Sequence, residues 1–299
     1  MMTTRLADRS REEVIIERRS VSAPFDNIVR NLNPVALARN LWTHRDLVRQ
    51  FTGREIAGRY KGSFFGLFWS FFHPMVLLLT YTFVFGLVFK ARWGGHSSAS
   101  LGEFSLVLFS GLIAFNVFSE SVNRSAGLIP SVPNYVKKVV FPLEILPVSV
   151  LGSSLFHALV SLGILVGASL AFGPGLRWTL VLLPVVALPL LFLTLGLSWF
   201  LAALGVYVRD VHYTVTLVVQ VSFFVTPIFY PLDAVPEGFR HLVELNPLSP
   251  VVDNFRRVIL WGTLPEWKPF AVWLGVTGVV MLLGYAWFMK TKKGFSDVI

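Results

Sequence analysis

Polar and apolar positions along this chain fall into long blocks rather than the short alternations of a soluble fold. Residues 63–89 carry no formal charge, and further apolar blocks occupy 104–122, 145–172, 178–207, 213–232 and 270–289. A helix rises about 1.5 Å per residue, so about 20 apolar residues cross a hydrocarbon core of roughly 30 Å. Each block is long enough, the second only by including Asn116 and Glu120. The pattern predicts an all-α integral membrane protein with six transmembrane helices over residues 63–289, both termini on one side.

The segments between the blocks have their own patterns. Residues 1–32 are charged with little periodicity and read as a mobile cytosolic tail. Asn33 as a cap and Pro34 at the first helical position open a helix. Over 33–62, Leu37, Leu41, Val48 and Phe51 fall on one side, while Arg39, Arg45, Asp46, Arg49 and Arg54 fall largely elsewhere. Such an amphipathic helix lies along the headgroup plane, Trp42 included. In the fourth block, Pro184 and Pro189 predict bends.

Two connections stand out. Between Pro133 and Pro142, a short helix bearing Tyr135, Val136, Lys137 and Lys138 either offers a docking point to a soluble partner or anchors at the headgroups. The long loop 233–269 contains "LSPVVDNFRRVILWG", with Ser249 as cap, Pro250 at the first helical position and Gly262 as a stop. Its apolar face of Val252, Phe255 and Ile259 is too short to cross, so the segment reads as an amphipathic or re-entrant helix, or as a surface helix that braces the fold.

Composition agrees with the pattern. Hydrophobic residues make up 54% of the chain and charged residues 14%, too little polar surface to cover a soluble domain. The net charge of +9 sits at the edges of apolar blocks, where anionic lipid headgroups account for it without nucleic acid. Lys and Arg cluster at Arg45 to Lys61, Arg124, Lys137, Lys138, Arg209, Lys290, Lys292 and Lys293, and are fewer on the other side, so the termini are expected in the cytosol. The first apolar block is too long and too late for a signal peptide and is expected to be kept as a span. Cysteine is absent, which removes disulfides, thiolate metal sites and a Cys nucleophile.

Catalytic chemistry is missing as well. "GREIAGRY" approaches a phosphate-binding loop, but Arg59 and Tyr60 replace the Lys and hydroxyl that the loop needs, and the segment follows a helix. His73 and His157 are the central titratable groups. His73 precedes Pro74, whose freed carbonyls its ring can satisfy, so a proton-coupled carrier is not expected. What is abundant is aromatic. Phe65, Trp69, Phe72, Val76 and Phe83 recur at helical spacing in the first block, and Phe223, Phe224, Phe229 and Tyr230 crowd the fifth. They suit either a lining for a sliding carbohydrate or ordinary lipid and core contact, and periodicity leaves both open.

The ordered stretches "RYKGSFFGLFWSFFHPMVLLLTYTFVFGLVF", "SGLIAFNVFSESVNRS", "YVKKVVFPLEILP", "VYVRDV", "TPIFYPLDAVP", "ELNPLSPVVDNFR" and "KKGFSDVI" resemble the permease subunits of type-2 ABC exporters for bacterial surface polysaccharides, such as O-antigen, capsule and teichoic acid. The resemblance covers most of Asp46 to Ile299. It implies a non-enzymatic, multi-pass inner-membrane homodimer served by two copies of a separate ABC ATPase, with ATP and Mg²⁺ on that partner and no cofactor on this chain. It further implies that Phe65, Trp69, Phe72, Phe83, Phe223, Phe224 and Tyr230 line a channel for a lipid-linked glycan. Arg54, Arg59 and Lys61 would hold its pyrophosphate. Tyr135, Val136, Lys137, Lys138 and Glu144 would couple to the ATPase. Asn246, Pro247, Phe255, Arg256 and Arg257 would belong to an external gate in 233–269. An exporter of a lipid or small drug is the alternative on a similar fold, and a non-transporting scaffold is a third.

Overall fold

The computed structural model describes residues 32–89, 93, 101–137, 141–173 and 175–299, and the regular elements among them are all helices. Lys90, Arg92, Lys138 and all of the tail except Leu32 lie outside the described residues.

The amphipathic segment is two helices, α1 (Pro34–Thr43) and α2 (Arg45–Arg59), rather than one. Asn33 caps α1, its side-chain oxygen accepting from the Val35 N–H at 2.9 Å. His44 interrupts the run at φ −99° and ψ 15°, with ring Nδ1 2.9 Å from the Asn40 carbonyl. Trp42 is exposed, and the Arg45 guanidinium lies 5.3 Å from its ring centre. After α2 the chain turns through Gly62 (φ 84°) and Gly66 (φ 50°), a left-handed conformation that favours glycine. The first apolar helix therefore starts at Phe68 instead of Ser63. This α3 (Phe68–Tyr81) carries Pro74 inside it and widens into a π-helix at Thr82–Val88.

Helix α4 (Leu101–Ser125) is the centre of the molecule: 83% of its most apolar window is buried, against 11% for the first and third candidate spans. A short helix α5 (Pro133–Lys137) leads to α6 (Ile145–Phe172), which has the bounds read from the sequence. Gly152 lets α2 approach α6, since a Cβ there would stand 2.7 Å from the Thr52 hydroxyl.

The fourth apolar block is broken as its prolines predict. A 3-10 turn at Trp178–Leu182 and α7 (Leu183–Val186) precede α8 (Leu188–Tyr207). Helix α8 packs on α12 (Trp267–Thr291) backbone to backbone, because a Cβ on Gly284 would meet the Gly196 carbonyl at 2.0 Å. At its far end a Cβ on Gly205 would meet the Ala126 carbonyl at 1.8 Å, so α8 also presses directly on the chain leaving α4.

Helix α9 (Val211–Val225) is shorter than the apolar block that contains it. Thr226 turns extended (ψ 132°) ahead of Pro227, and the remaining apolar residues form turns. Among the described residues, five helical segments are long and apolar enough to cross a membrane, whereas Val211–Val225 is apolar but shorter. The loop that follows carries α10 (Glu237–Glu244) and α11 (Leu248–Arg256), the latter extended as a π-helix over Arg257–Trp261 and stopped by Gly262 at φ 68°. Ser249 does not cap α11 as its position suggests. Its hydroxyl donates to the Val243 carbonyl, and Asn246 Oδ1 instead accepts from the Leu248 N–H at 3.0 Å. A last short helix, α13 (Phe295–Val298), buries Phe295 against Phe288 and Tyr207.

Candidate functional site

The aromatic positions read from the sequence divide by their surroundings. Phe65, Trp69, Phe72, Phe83 and Phe224 are exposed, while Phe223 turns inward to Phe115 and Phe229 at 5.0 and 5.1 Å between ring centres. On α3 and the turn before it, Phe65, Trp69 and Phe72 form a continuous edge-to-face ladder with steps of 6.1 and 5.5 Å. Phe68 extends it by stacking on Phe72 at 5.8 Å. Phe83 lies beyond, in the π segment. Tyr230 has a structural duty, because its hydroxyl donates to the Phe224 and Val225 carbonyls and closes the end of α9. Within one chain the ladder of α3 and the exposed Phe224 of α9 are not brought into ring contact; Phe224 meets Phe223 edge to face at 5.4 Å.

The three basic residues at the start of the first span are held differently. Arg59 donates to Glu120 at 2.7 Å, and Glu120 also faces Arg124 at 4.0 Å. Arg124 pairs in turn with Glu55. Arg54 instead donates to the Tyr135 hydroxyl at 2.9 Å, and Lys61 is exposed. This network ties α2 to the end of α4. Its acidic members were not singled out as a pair of sites by the sequence, although the i,i+4 spacing of Glu120 and Arg124 is the signal that marks them.

Tyr135 and Val136 pack into the core beneath α5, with Tyr135 against Phe141 and Phe51 at 4.8 and 5.6 Å, while Lys137 is exposed. Glu144 is not on that outer surface. It is buried, one carboxylate oxygen accepting from Lys292 Nζ at 2.6 Å and the other from Asn40 Nδ2 at 3.1 Å. Asn40 also donates to the Tyr285 hydroxyl at 3.0 Å, and the Trp199 indole donates to the Glu144 carbonyl at 2.9 Å. Burial pushes the Glu144 carboxyl up, but the hydrogen bond and charge of Lys292 and the Asn40 amide outweigh it and hold the group below the ordinary glutamate range. One acid thus joins α1, α6, α8 and α12.

In the loop after α9 the two arginines separate. Arg257 lies against Asp253 at 2.7 Å and pairs with Glu266. Arg256 is fully buried, and among the described residues no carboxylate contacts it. Its guanidinium donates to the Pro227 and Ile228 carbonyls at 2.8 Å each and to the Val107 carbonyl at 3.2 Å, and lies 4.2 Å from the Trp93 ring centre. Asn246 donates to the Thr226 hydroxyl at 2.9 Å, Pro247 opens α11, and Phe255 is buried in the core. Arg256 and Asn246 therefore hold α11 against the broken end of α9, which sits beside α4.

A family model described as the ABC-2 type transporter matches residues 46–260. The chain belongs to this family. The ABC-2 chain is 31% identical over 267 residues to the O-antigen export system permease protein RfbA of Myxococcus xanthus, covering 89% of the chain and 100% of that protein. A Klebsiella pneumoniae protein of the same name is 28% identical over 257 residues, 85% of the chain and 95% of its own length. The polysialic acid transport protein KpsM of Escherichia coli is 25% identical over 244 residues, 80% of the chain and 91% of its length. The ABC-2 match leaves α1 and α12 outside it, and Glu144 is the side chain that ties its interior to both flanks through Asn40 and Lys292.

Proposed function

We propose that this chain is the permease subunit of an ATP-driven exporter that moves a lipid-linked polysaccharide, most closely an O-antigen, across the bacterial inner membrane. The likeness to RfbA of Myxococcus xanthus along that protein's whole length carries the reading. The permease works as a homodimer with two copies of a separate ATPase, which holds the ATP and Mg²⁺. It crosses the bilayer six times, α9 being the fifth crossing, with both termini in the cytosol. The exposed faces of α3 and α9 meet their symmetry mates and line the pathway. Their aromatic faces attract polarised C–H groups of sugars without fixing a sequence, which suits a repeating polymer that must slide.

ATP binding closes the partner subunits and presses α5. Movement of Tyr135 reaches α2 through Arg54, and movement of the segment before α6 reaches α1 and α12 through Glu144. On the far side α10 and α11 form the gate, with Arg256 fixing where the gate meets α9. The lipid pyrophosphate is held at Arg54, Arg59 and Lys61, where it displaces Glu120 from Arg59. Neutralising all three in a permease that still inserts and assembles is expected to slow export at least about tenfold, and unchanged export would remove that placement.

The whole reading is tested by copurifying the chain with an ATPase from its genomic neighbourhood and by deleting the chain. ATP hydrolysis by the complex, with lipid-linked polysaccharide accumulating in the cytosol of the deletion strain, is the expected outcome. Complex formation without glycan accumulation would favour a lipid or drug as cargo, and absence of both would overturn the export reading.

A further inference from the structure

Within a single chain, α3, α4 and α6 surround a cavity of about 460 Å³, with Phe223 of α9 as one wall. This size falls inside the range of small-molecule sites, about 300–1,000 Å³. Its lining is mixed in a way that helix packing does not require. Trp69, Tyr81, Phe109 and Phe223 supply aromatic surface. His157 and Asn116 supply polar groups, although each sits in a helix apolar enough to span the membrane.

The polar groups are only partly used. His157 Nδ1 is hydrogen-bonded to Tyr60 Oη at 3.3 Å, whereas its Nε2 is shut away from solvent with no hydrogen-bond partner. Asn116 puts an exposed amide on the cavity wall. The buried Nε2 is out of reach of anything in the cavity, so the exposed Asn116 amide is a polar group that a ligand there can meet. The formal charges on the lining, Arg59 and Glu120, are paired with each other at 2.7 Å.

We infer that this cavity, which Trp69 and Phe223 of the proposed pathway lining also wall, binds one uncharged sugar ring within each protomer. The inference rests on the glycan-export reading. A sugar ring offers one face of C–H groups for aromatic walls and a rim of hydroxyls that both donate and accept, which matches an amide that does both as well. A diphosphate reaches a cation here only by displacing Glu120 from Arg59. An acyl chain fills the volume but leaves the exposed Asn116 amide without a partner.

The test uses the purified full-length chain in phosphatidylethanolamine and phosphatidylglycerol nanodiscs, labelled with octyl β-glucoside carrying a diazirine beside the glycosidic oxygen. Peptide mass spectrometry is expected to place the label around Trp69, Asn116 and His157. Excess octyl β-glucoside should suppress it about tenfold more than octyl phosphocholine, which has the same chain and no sugar. Equal suppression by both would make the cavity a hydrocarbon pocket, and label elsewhere would also overturn the inference. Asn116→Leu should abolish the sugar preference and Asn116→Gln should keep it; the wild-type competition decides alone where either variant fails to elute as a single species. Glycan accumulation on deletion without a sugar preference overturns the site and spares the export reading. A sugar preference in a chain whose deletion accumulates no glycan overturns the export reading and with it the exported glycan as this cavity's ligand.

Discussion

Replacing Lys292 by Met leaves the buried Glu144 carboxylate without its counter-charge, and the expected cost is about 3 kcal/mol, read as lowered thermal stability in detergent. Glu144→Gln in the same chain should recover most of that loss, because the remaining groups then need no compensation; an additive double variant would remove the pair from the account. The pair also fixes a pH dependence. Since the folded Glu144 carboxyl lies below its unfolded value, about 4.3, its contribution is complete at neutral pH and fades as pH falls through the folded value. A melting temperature followed from neutral to acid pH should drop less steeply in Glu144→Gln than in the wild type. Arg256 makes a different demand. Arg256→Lys keeps a cation but gives up the planar fork that reaches three carbonyls, and is expected to cost about 2 kcal/mol and to expose the α11 segment to protease. Protection equal to wild type would show that charge alone suffices there.

At Gly196 and Gly284 helices α8 and α12 meet backbone to backbone, so Gly284→Leu must push the two backbones apart rather than fill a gap. Loss of the monodisperse species on size exclusion is expected, while Gly275→Leu on the same helix, where a Cβ meets nothing, should be tolerated. At this scale the sequence was legible where apolarity and helix geometry change together. Residues 145–172 begin after Pro142 and end at Gly173, and the observed α6 has the same bounds. Pro184 and Pro189 marked the broken fourth block for the same reason. The fifth block misled because 213–232 stays apolar after Thr226 leaves the helix, and apolarity reports burial rather than backbone shape. The π stretches in α3 and α11 have no period of their own in the residues. The aromatic ladder could be read because its members lie three and four positions apart. The Glu144 cluster could not, because Asn40 lies 104 positions before the acid and Lys292 lies 148 after it.

In the molecule as a whole, burial is uneven: α4 is enclosed, whereas α3 and α9 keep exposed faces that include Leu217, Val218, Val221 and Phe224. If those faces meet a second copy, a cysteine there should form a disulfide between protomers. The absence of native cysteine makes the experiment clean. Val218→Cys is expected to yield a covalent dimer under mild oxidant in native membranes, and Leu159→Cys, exposed on α6, is not. Equal yields at the two positions would count against an α9 interface. The Glu144 cluster also sets an order of events during synthesis. Asn40 and Glu144 leave the ribosome long before Lys292 does, so a nascent chain carries an unneutralised acid at the head of α6 until the final helix has been threaded into the bilayer. A half-made subunit thus lacks the join between α1, α6 and α12, and its fold closes only with the last stretch to be translated.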